Sequence, residues 1–186
     1  LFQKDVNVLW DLAVHDLSIM DYLLPEKPVA VSATGAAHIS GYPENTAYLT
    51  LYFESNMVAH VHVNWLAPVK IRQTLLGGSK NMVVYNDLEP SEKIKVYDSG
   101  VNTETDPEKL REVLTGYRTG DVWSPKIPLT EALQEEVRHF AHCIRLNCPS
   151  DTDGYAGLDV LRVLTAAEIS MQNQGRSVCV KTGKCI

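Results

Sequence analysis

Ala47-Tyr-Leu-Thr-Leu-Tyr-Phe-Glu54, followed after Ser55-Asn56-Met57 by Val58-Ala-His-Val-His-Val-Asn-Trp65, decides the fold class. Apolar and polar residues alternate in both runs with the two-residue period of a strand. Ala47, Leu49, Leu51 and Phe53 share one face of the first run, and Tyr48, Thr50 and Tyr52 share the other. In the second, Ala59, Val61, Val63 and Trp65 oppose His60, His62 and Asn64. Two such runs joined through a tight Ser55-Asn56 connection read as a β-hairpin, so the sheet they start is antiparallel.

The same grammar extends outward. Residues 29–33 form a short apolar strand before the hairpin, and residues 71–76 and 82–85 flank Gly77-Gly78-Ser79-Lys80-Asn81 as a second hairpin. Residues 93–97 add a strand, and residues 177–180 return as a last one. Helical spacing governs three other stretches. Ala13, Leu17, Met20 and Leu24 form a stripe on the first helix. Leu133, Val137, Phe140, Ala141 and Ile144 form one on the second, with Thr130 as its expected N-cap. Val160, Val163, Leu164, Ala167 and Met171 mark the third, which Gly175 ends. Residues 98–128, rich in charge, Thr, Gly and Pro, read as a long excursion with one short helix around residues 108–114. The expectation is a single α+β domain over residues 1–186, a mainly antiparallel open sheet with helices on one face. The other face, with Tyr48, Thr50, Tyr52, His60, His62 and Asn64, is amphipathic and suits a homo-oligomer interface ahead of a simply wetted surface.

Composition narrows the function. The 186 residues carry a net charge of -6 with 45% hydrophobic and 22% charged residues, an ordinary globular balance that argues against nucleic-acid or anionic-membrane binding. No apolar run reaches the roughly 18 residues that cross a bilayer, and a cytoplasmic location is the default expectation. Cys143, Cys148, Cys179 and Cys185 fit no tandem zinc spacing and are expected as free thiols, Cys143 on the inward face of its helix. His60 with His62, and His139 with His142 and Cys143, lack an acidic partner at telling spacing, so no metal is expected. No G-x-S-x-G elbow surrounds a serine. Asp151-Thr-Asp153-Gly154 opens like a calcium loop without its downstream glutamate and reads better as the cap of the last helix.

One pairing carries chemistry. In Asp11-Leu-Ala-Val-His15 an acid precedes a histidine by four residues, a spacing that puts both on one helix face. A carboxylate there can hold the imidazole in one tautomer and raise its basicity, so that the ring removes a hydroxyl proton. The alternative is a solvated pair worth a few tenths of a kcal/mol. Asp11, His15, Ser18 and Tyr22 fall opposite the apolar stripe, so the pair faces water or a cleft.

The order D-L-A-V-H-D-L-S-I-M-D-Y-L-L, V-N-W-L-A-P-V-K-I-R-Q-T-L-L-G-G-S, G-D-V-W-S-P-K-I-P, E-E-V-R-H-F and G-L-D-V-L-R-V-L-T-A-A-E-I-S resembles the carboxy-terminal domain of the Gfo/Idh/MocA oxidoreductases. The resemblance implies an NAD- or NADP-dependent dehydrogenase acting on a sugar, cyclitol or nucleotide-sugar hydroxyl. In that scheme His15 is the general base and Asp11 orients it. Trp65, Lys70 and Arg72 lie where relatives approach substrate, with the two cations suited to a carboxylate or phosphate, or equally to the solvent. Tyr117, Arg118 and Asp121 in the long loop are weaker candidates of the same kind. The family's dinucleotide-binding domain has no counterpart here: no strand, G-x-G-x-x-G and helix occur in order. Glu26-Lys27-Pro28 repeats the letters of an element of that domain but follows the dyad helix, so Lys27 reads as a surface connection residue. The chain is therefore expected to be part of a longer enzyme, inactive alone. The alternative is a free-standing, non-catalytic assembly or ligand-binding domain.

Overall fold

A computed structural model describes residues 3–98, 120–128 and 130–185. A π-helical turn, Leu9–Ala13, runs directly into α1, Val14–Leu23. There follow β1 (Ala30–Ala36), β2 (Thr46–Tyr52), β3 (Val58–Asn64), β4 (Gln73–Gly77), β5 (Met82–Asn86), β6 (Ile94–Tyr97) and β7 (Val122–Trp123). The chain closes with α2 (Ala132–Leu146), α3 (Gly154–Gln172) and β8 (Val178–Cys179). The fold is α+β, and every strand pairing among the described residues is antiparallel.

The expected single sheet is two sheets. One has the order β3-β2-β1-β8 and the other β4-β5-β6-β7. Leu66 to Arg72, an exposed run with Pro68 in it, separates β3 from β4; a proline cannot donate to a ladder. The molecule correspondingly divides into two compact units, Leu1–Pro68 with Glu136–Ile186, and Val69–Glu135. β7 is a short addition absent from the sequence reading. The helix expected around residues 108–114 lies outside the described residues.

The first unit follows the sequence pattern closely. In the β2–β3 hairpin Leu49 faces Val61 and Ala47 faces Val63. Ala47, Leu49, Leu51, Phe53, Val61 and Val63 are all buried, while Tyr48 and Tyr52 are exposed. Asn56 turns the hairpin in the left-handed region, at φ 64, which asparagine tolerates better than most residues. Onto the buried face pack Ala13 and Leu17 from the amino-terminal helix and Val160, Val163, Leu164 and Ala167 from α3. Burying one such side chain contributes about 1.5–3 kcal/mol.

Two caps fix α3. Asp153 Oδ1 accepts from the backbone N–H groups of Tyr155 and Ala156 at 2.9 and 3.0 Å, as the sequence led us to expect. At the other end Gly175 N donates to Ser170 O at 2.9 Å, with Gln174 and Gly175 both at positive φ. A Cβ on Gly175 would lie 2.8 Å from Thr34 Cγ2, so glycine is required there by both conformation and space. Ser170, fully buried, fastens this end of α3 to β1: its Oγ accepts from Ala33 N at 2.8 Å and donates to Arg176 O at 2.6 Å.

α2 departs from expectation. Its cap is Glu131 rather than Thr130, the carboxylate accepting from Leu133 N and Gln134 N at 3.1 and 2.6 Å. Cys143 is buried as predicted, but Leu133, Val137, Phe140 and Ile144 are 62–68% exposed. The stripe is real in the sequence, and nothing among the described residues covers it.

Candidate functional site

The helix that carries Asp11 and His15 is anchored at its start. Val8 N donates to Glu44 O at 3.0 Å, and the next residue's carbonyl, Asn45 O, accepts from Trp65 N at 2.9 Å. Two neighbouring carbonyls on the approach to β2 thus hold the start of the helix and the end of β3. Asn7 Oδ1 accepts from Leu9 N at 3.1 Å, and Val8, Leu9 and Ala13 are fully buried. The π-helical turn on this foundation contains Asp11; wide turns of this kind recur at functional sites.

Asp11 is committed to partners other than His15. Its Oδ2 accepts from the Trp65 indole N–H at 2.8 Å and its Oδ1 from Gln3 Nε2 at 3.3 Å. Among the described residues no hydrogen bond or ion pair joins it to His15. The direct bond expected from the four-residue spacing is therefore not made in this structure; the carboxylate is turned toward Trp65 and Gln3 instead. A hydrogen bond to an ionised carboxylate contributes roughly 1.5–3 kcal/mol, enough to orient the half-buried Trp65 ring.

His15 stands on the exposed side of α1, opposite buried Leu17. Further along that side, Ser18 and Tyr22 line a polar groove of ≈ 420 Å³ with Asp21, Lys27 and the Asp151–Gly157 segment. His15 lines neither this groove nor the apolar one of ≈ 280 Å³ floored by Leu17, Met20, Leu51 and Phe53. Lys27 pairs with Asp21, consistent with a surface connection residue.

The other predicted residues fall elsewhere. Lys70 and Arg72 belong to the second unit. Arg72 Nη1 lies 3.4 Å from Asp87 Oδ2, and Lys93 Nζ lies 3.5 Å from Oδ1. The Tyr85 hydroxyl donates to the same carboxylate at 2.9 Å. That bond above all, helped by Arg72 and Lys93 against partial burial, holds the Asp87 carboxyl below its usual range. Burial and the Asp87 bond push the Tyr85 phenol upward. Lys70 is exposed and has no ion pair among the described residues. Tyr117 and Arg118 lie outside the described residues, and Asp121 is exposed beside β7.

On the outer face of the first sheet Tyr48 stacks on His62 with centroids 4.3 Å apart, and Thr50 Oγ1 lies 3.2 Å from His60 Nδ1. Among the described residues no three His, Cys, Asp or Glu side chains converge as a metal site, and no helix is long and apolar enough to cross a membrane. Every strand pairing among the described residues is antiparallel. Sequence reasoning missed Gln3, Glu44 and Asn45, whose roles arise from contacts across the fold and leave no local signal.

The fold defines an α+β domain with open antiparallel sheets. Residues 3–84 match the model of the GFO/IDH/MocA C-terminal domain. Solved structures agree in fold. The chain is similar over 92% of its length to UDP-N-acetylglucosamine 3-dehydrogenase GnnA from Acidithiobacillus ferrooxidans, at 20% identity and a TM-score of 0.76, covering 52% of that protein. It is similar over 92% to an aldose-aldose oxidoreductase from Caulobacter crescentus, solved with glycerol, at 20% identity and a TM-score of 0.70, covering 47% of it. It is similar over 94% to the WlbA dehydrogenase from Bordetella pertussis, solved with NADH and UDP-GlcNAcA, at 18% identity and a TM-score of 0.62, covering 45% of it. The chain thus spans about half the length of these proteins. No curated protein sequence matches it.

Proposed function

We propose that residues 1–186 act together as the substrate-binding and oligomerisation part of an NAD(P)-dependent oxidoreductase that oxidises a hydroxyl of a sugar, cyclitol or nucleotide-sugar. The observation that carries this reading is the family match over residues 3–84, which spans Asp11, His15 and Trp65. Solved structures similar in fold include enzymes named for nucleotide-sugar and aldose substrates. A nicotinamide cofactor, held outside residues 1–186, would supply the hydride acceptor.

Within the chain, His15 takes the proton of the reacting hydroxyl, its exposed ring being open to a substrate laid along α1. Asp11 is a positioning residue. Its bond to the Trp65 indole couples the dyad helix to the end of β3. Trp65 offers the substrate an apolar ring edge; in the second unit, taken by itself, Lys70 has no ion pair among the described residues and is a candidate for an anionic group. Arg72 and Tyr117 with Arg118 have subordinate places in this scheme. The outer sheet face carrying Tyr48, Tyr52, His60 and His62 forms the contact between subunits.

His15→Ala in the full-length enzyme is the test, with reduced-cofactor formation followed over a panel of nucleotide-sugars, aldoses and cyclitols. We expect kcat to fall by about 10²–10⁴ with cofactor affinity unchanged; an unchanged kcat removes His15 from the reaction. One observation favours a non-catalytic assembly domain instead: Asp11 is bonded to Trp65 and Gln3 rather than to His15. Absence of turnover by the full-length wild type with every panel member, together with a stable oligomer of this chain, would establish that alternative.

A further inference from the structure

The carboxyl end of α2 brings two thiols together. Asn147 has φ 51, and Cys148 N donates to Cys143 O at 3.1 Å. This is the six-to-one closure of a Schellman cap, with Cys143 the fourth-last residue of α2 and Cys148 just beyond the left-handed residue. In such a cap those two side chains lie against each other, and hydrophobic pairs commonly fill the positions. Here both positions are cysteine. The direct backbone bond between them keeps their Cα atoms within the roughly 4.4–6.8 Å that a disulfide spans.

The surroundings hold the pair in place. Cys143 Sγ is 3.5 Å from Pro149 O and 3.6 Å from His139 Nε2, so the sulfur faces the loop that carries Cys148. His139 pins that loop by accepting from Ser150 Oγ and Asp151 N, both at 3.2 Å. With those donors on its lone pair, the imidazole braces the loop. Cys143 is buried and Cys148 exposed. Burial, followed by the neighbouring Cys148, raises the Cys143 thiol above its ordinary value, so the exposed sulfur is the one that meets an oxidant first.

We propose that Cys143 and Cys148 form a redox-modifiable dithiol that a low-molecular-weight disulfide converts into an intrachain bridge across the cap of α2. The Cys148 thiolate attacks one sulfur of the oxidant and expels one thiolate, leaving a mixed disulfide. Cys143 gives its proton to solvent, attacks Cys148 Sγ and expels the second thiolate. One oxidant is reduced to two thiols, and two protein thiols become one disulfide. The bridge locks the end of the helix whose apolar stripe stands exposed.

The experiment treats the reduced full chain with excess oxidised glutathione, blocks remaining thiols with an alkylating agent and maps tryptic peptides. Cleavage after Arg145 separates the two cysteines, so the bridge appears as residues 139–145 joined to residues 146–162, lighter by two hydrogens than their sum. We expect this linked pair as the main product, with Cys179 and Cys185 alkylated, and a persistent glutathione adduct on Cys148 in Cys143→Ser. A wild-type chain that stops at a glutathione adduct on Cys148, bridges other cysteines or stays fully alkylated at both positions overturns the proposal. The wild-type map decides the matter even if the serine variant fails to fold.

Discussion

The two units contrast in how they are held together. In the first, two faces of the chain meet: β1, β2, β3 and β8 offer an apolar face, α1 and α3 cover it, and eighteen side chains form one buried cluster. In the second, β4 to β7 pair correctly, yet no described residue between Val69 and Glu135 is buried. Leu75 is 56% exposed. Among the described residues its order rests on backbone ladders and on the Asp87 network with Tyr85, Arg72 and Lys93. Hydrogen bonds and surface ion pairs give direction, but each contributes little net stability, whereas buried area accumulates. The first unit is therefore expected to be the more resistant half.

Core truncation should break the comparison most sharply. Leu49→Ala or Leu164→Ala is expected to cost about 2–5 kcal/mol in urea unfolding, because both are almost wholly buried. Leu75→Ala in the second sheet should cost under ~1 kcal/mol; an equal loss at Leu75 would mean that the second sheet has a core of its own. Next in size is Ser170→Ala, which leaves Ala33 N without its acceptor and should cost roughly 1–3 kcal/mol in the same assay. Trp65→Phe keeps the ring's bulk but removes the donor to Asp11, for an expected loss of about 1.5 kcal/mol, the low end for a charged hydrogen bond because water can reach the half-buried carboxylate. If stability is unchanged while the turnover proposed for the full-length protein falls, the bond serves function alone.

A smaller effect tests the second unit through pH. The Asp87 carboxyl is depressed in the folded chain, so its stabilising contribution is complete above the unfolded carboxylate pKa of about 3.9 and disappears as the pH falls through the lower folded value. Amide exchange in β5 and β6 should loosen in that acid window for wild type, and Asp87→Asn should show the looser state already at neutral pH. Identical profiles for both chains would show that the network does not stabilise the sheet. Smallest of all, Phe140→Ser on the exposed stripe of α2 should change the stability of the isolated chain by no more than about 0.5 kcal/mol. A loss several times larger would reveal a cover over that helix.

Legibility followed the range of the interaction. The β2–β3 hairpin, with its inward Leu49 and Val61 and outward Tyr48 and His62, was readable because alternation, turn and pairing all lie within 20 consecutive positions. The Asp153 cap was readable for the same reason. At the dyad, spacing correctly placed His15 outward and Leu17 inward, yet it could not show that Trp65 and Gln3 compete for Asp11. The α2 stripe shows the reverse failure: periodicity reports that a face is apolar, but not whether anything is packed on it.

The sequence by itself determined the α+β class, the antiparallel pairing, the two anchored helices of the first unit and the residue types that chemistry would need, since periodicity and capping are local and strongly patterned. Only the tertiary structure decided that the strands divide into two sheets, that the dyad helix opens with a π-helical turn and that Asp11 turns to Trp65. It also decided that Cys143 and Cys148 meet across a helix cap. Those outcomes depend on which of several possible partners wins a given oxygen, face or ladder edge, and that competition is settled between residues far apart in the chain.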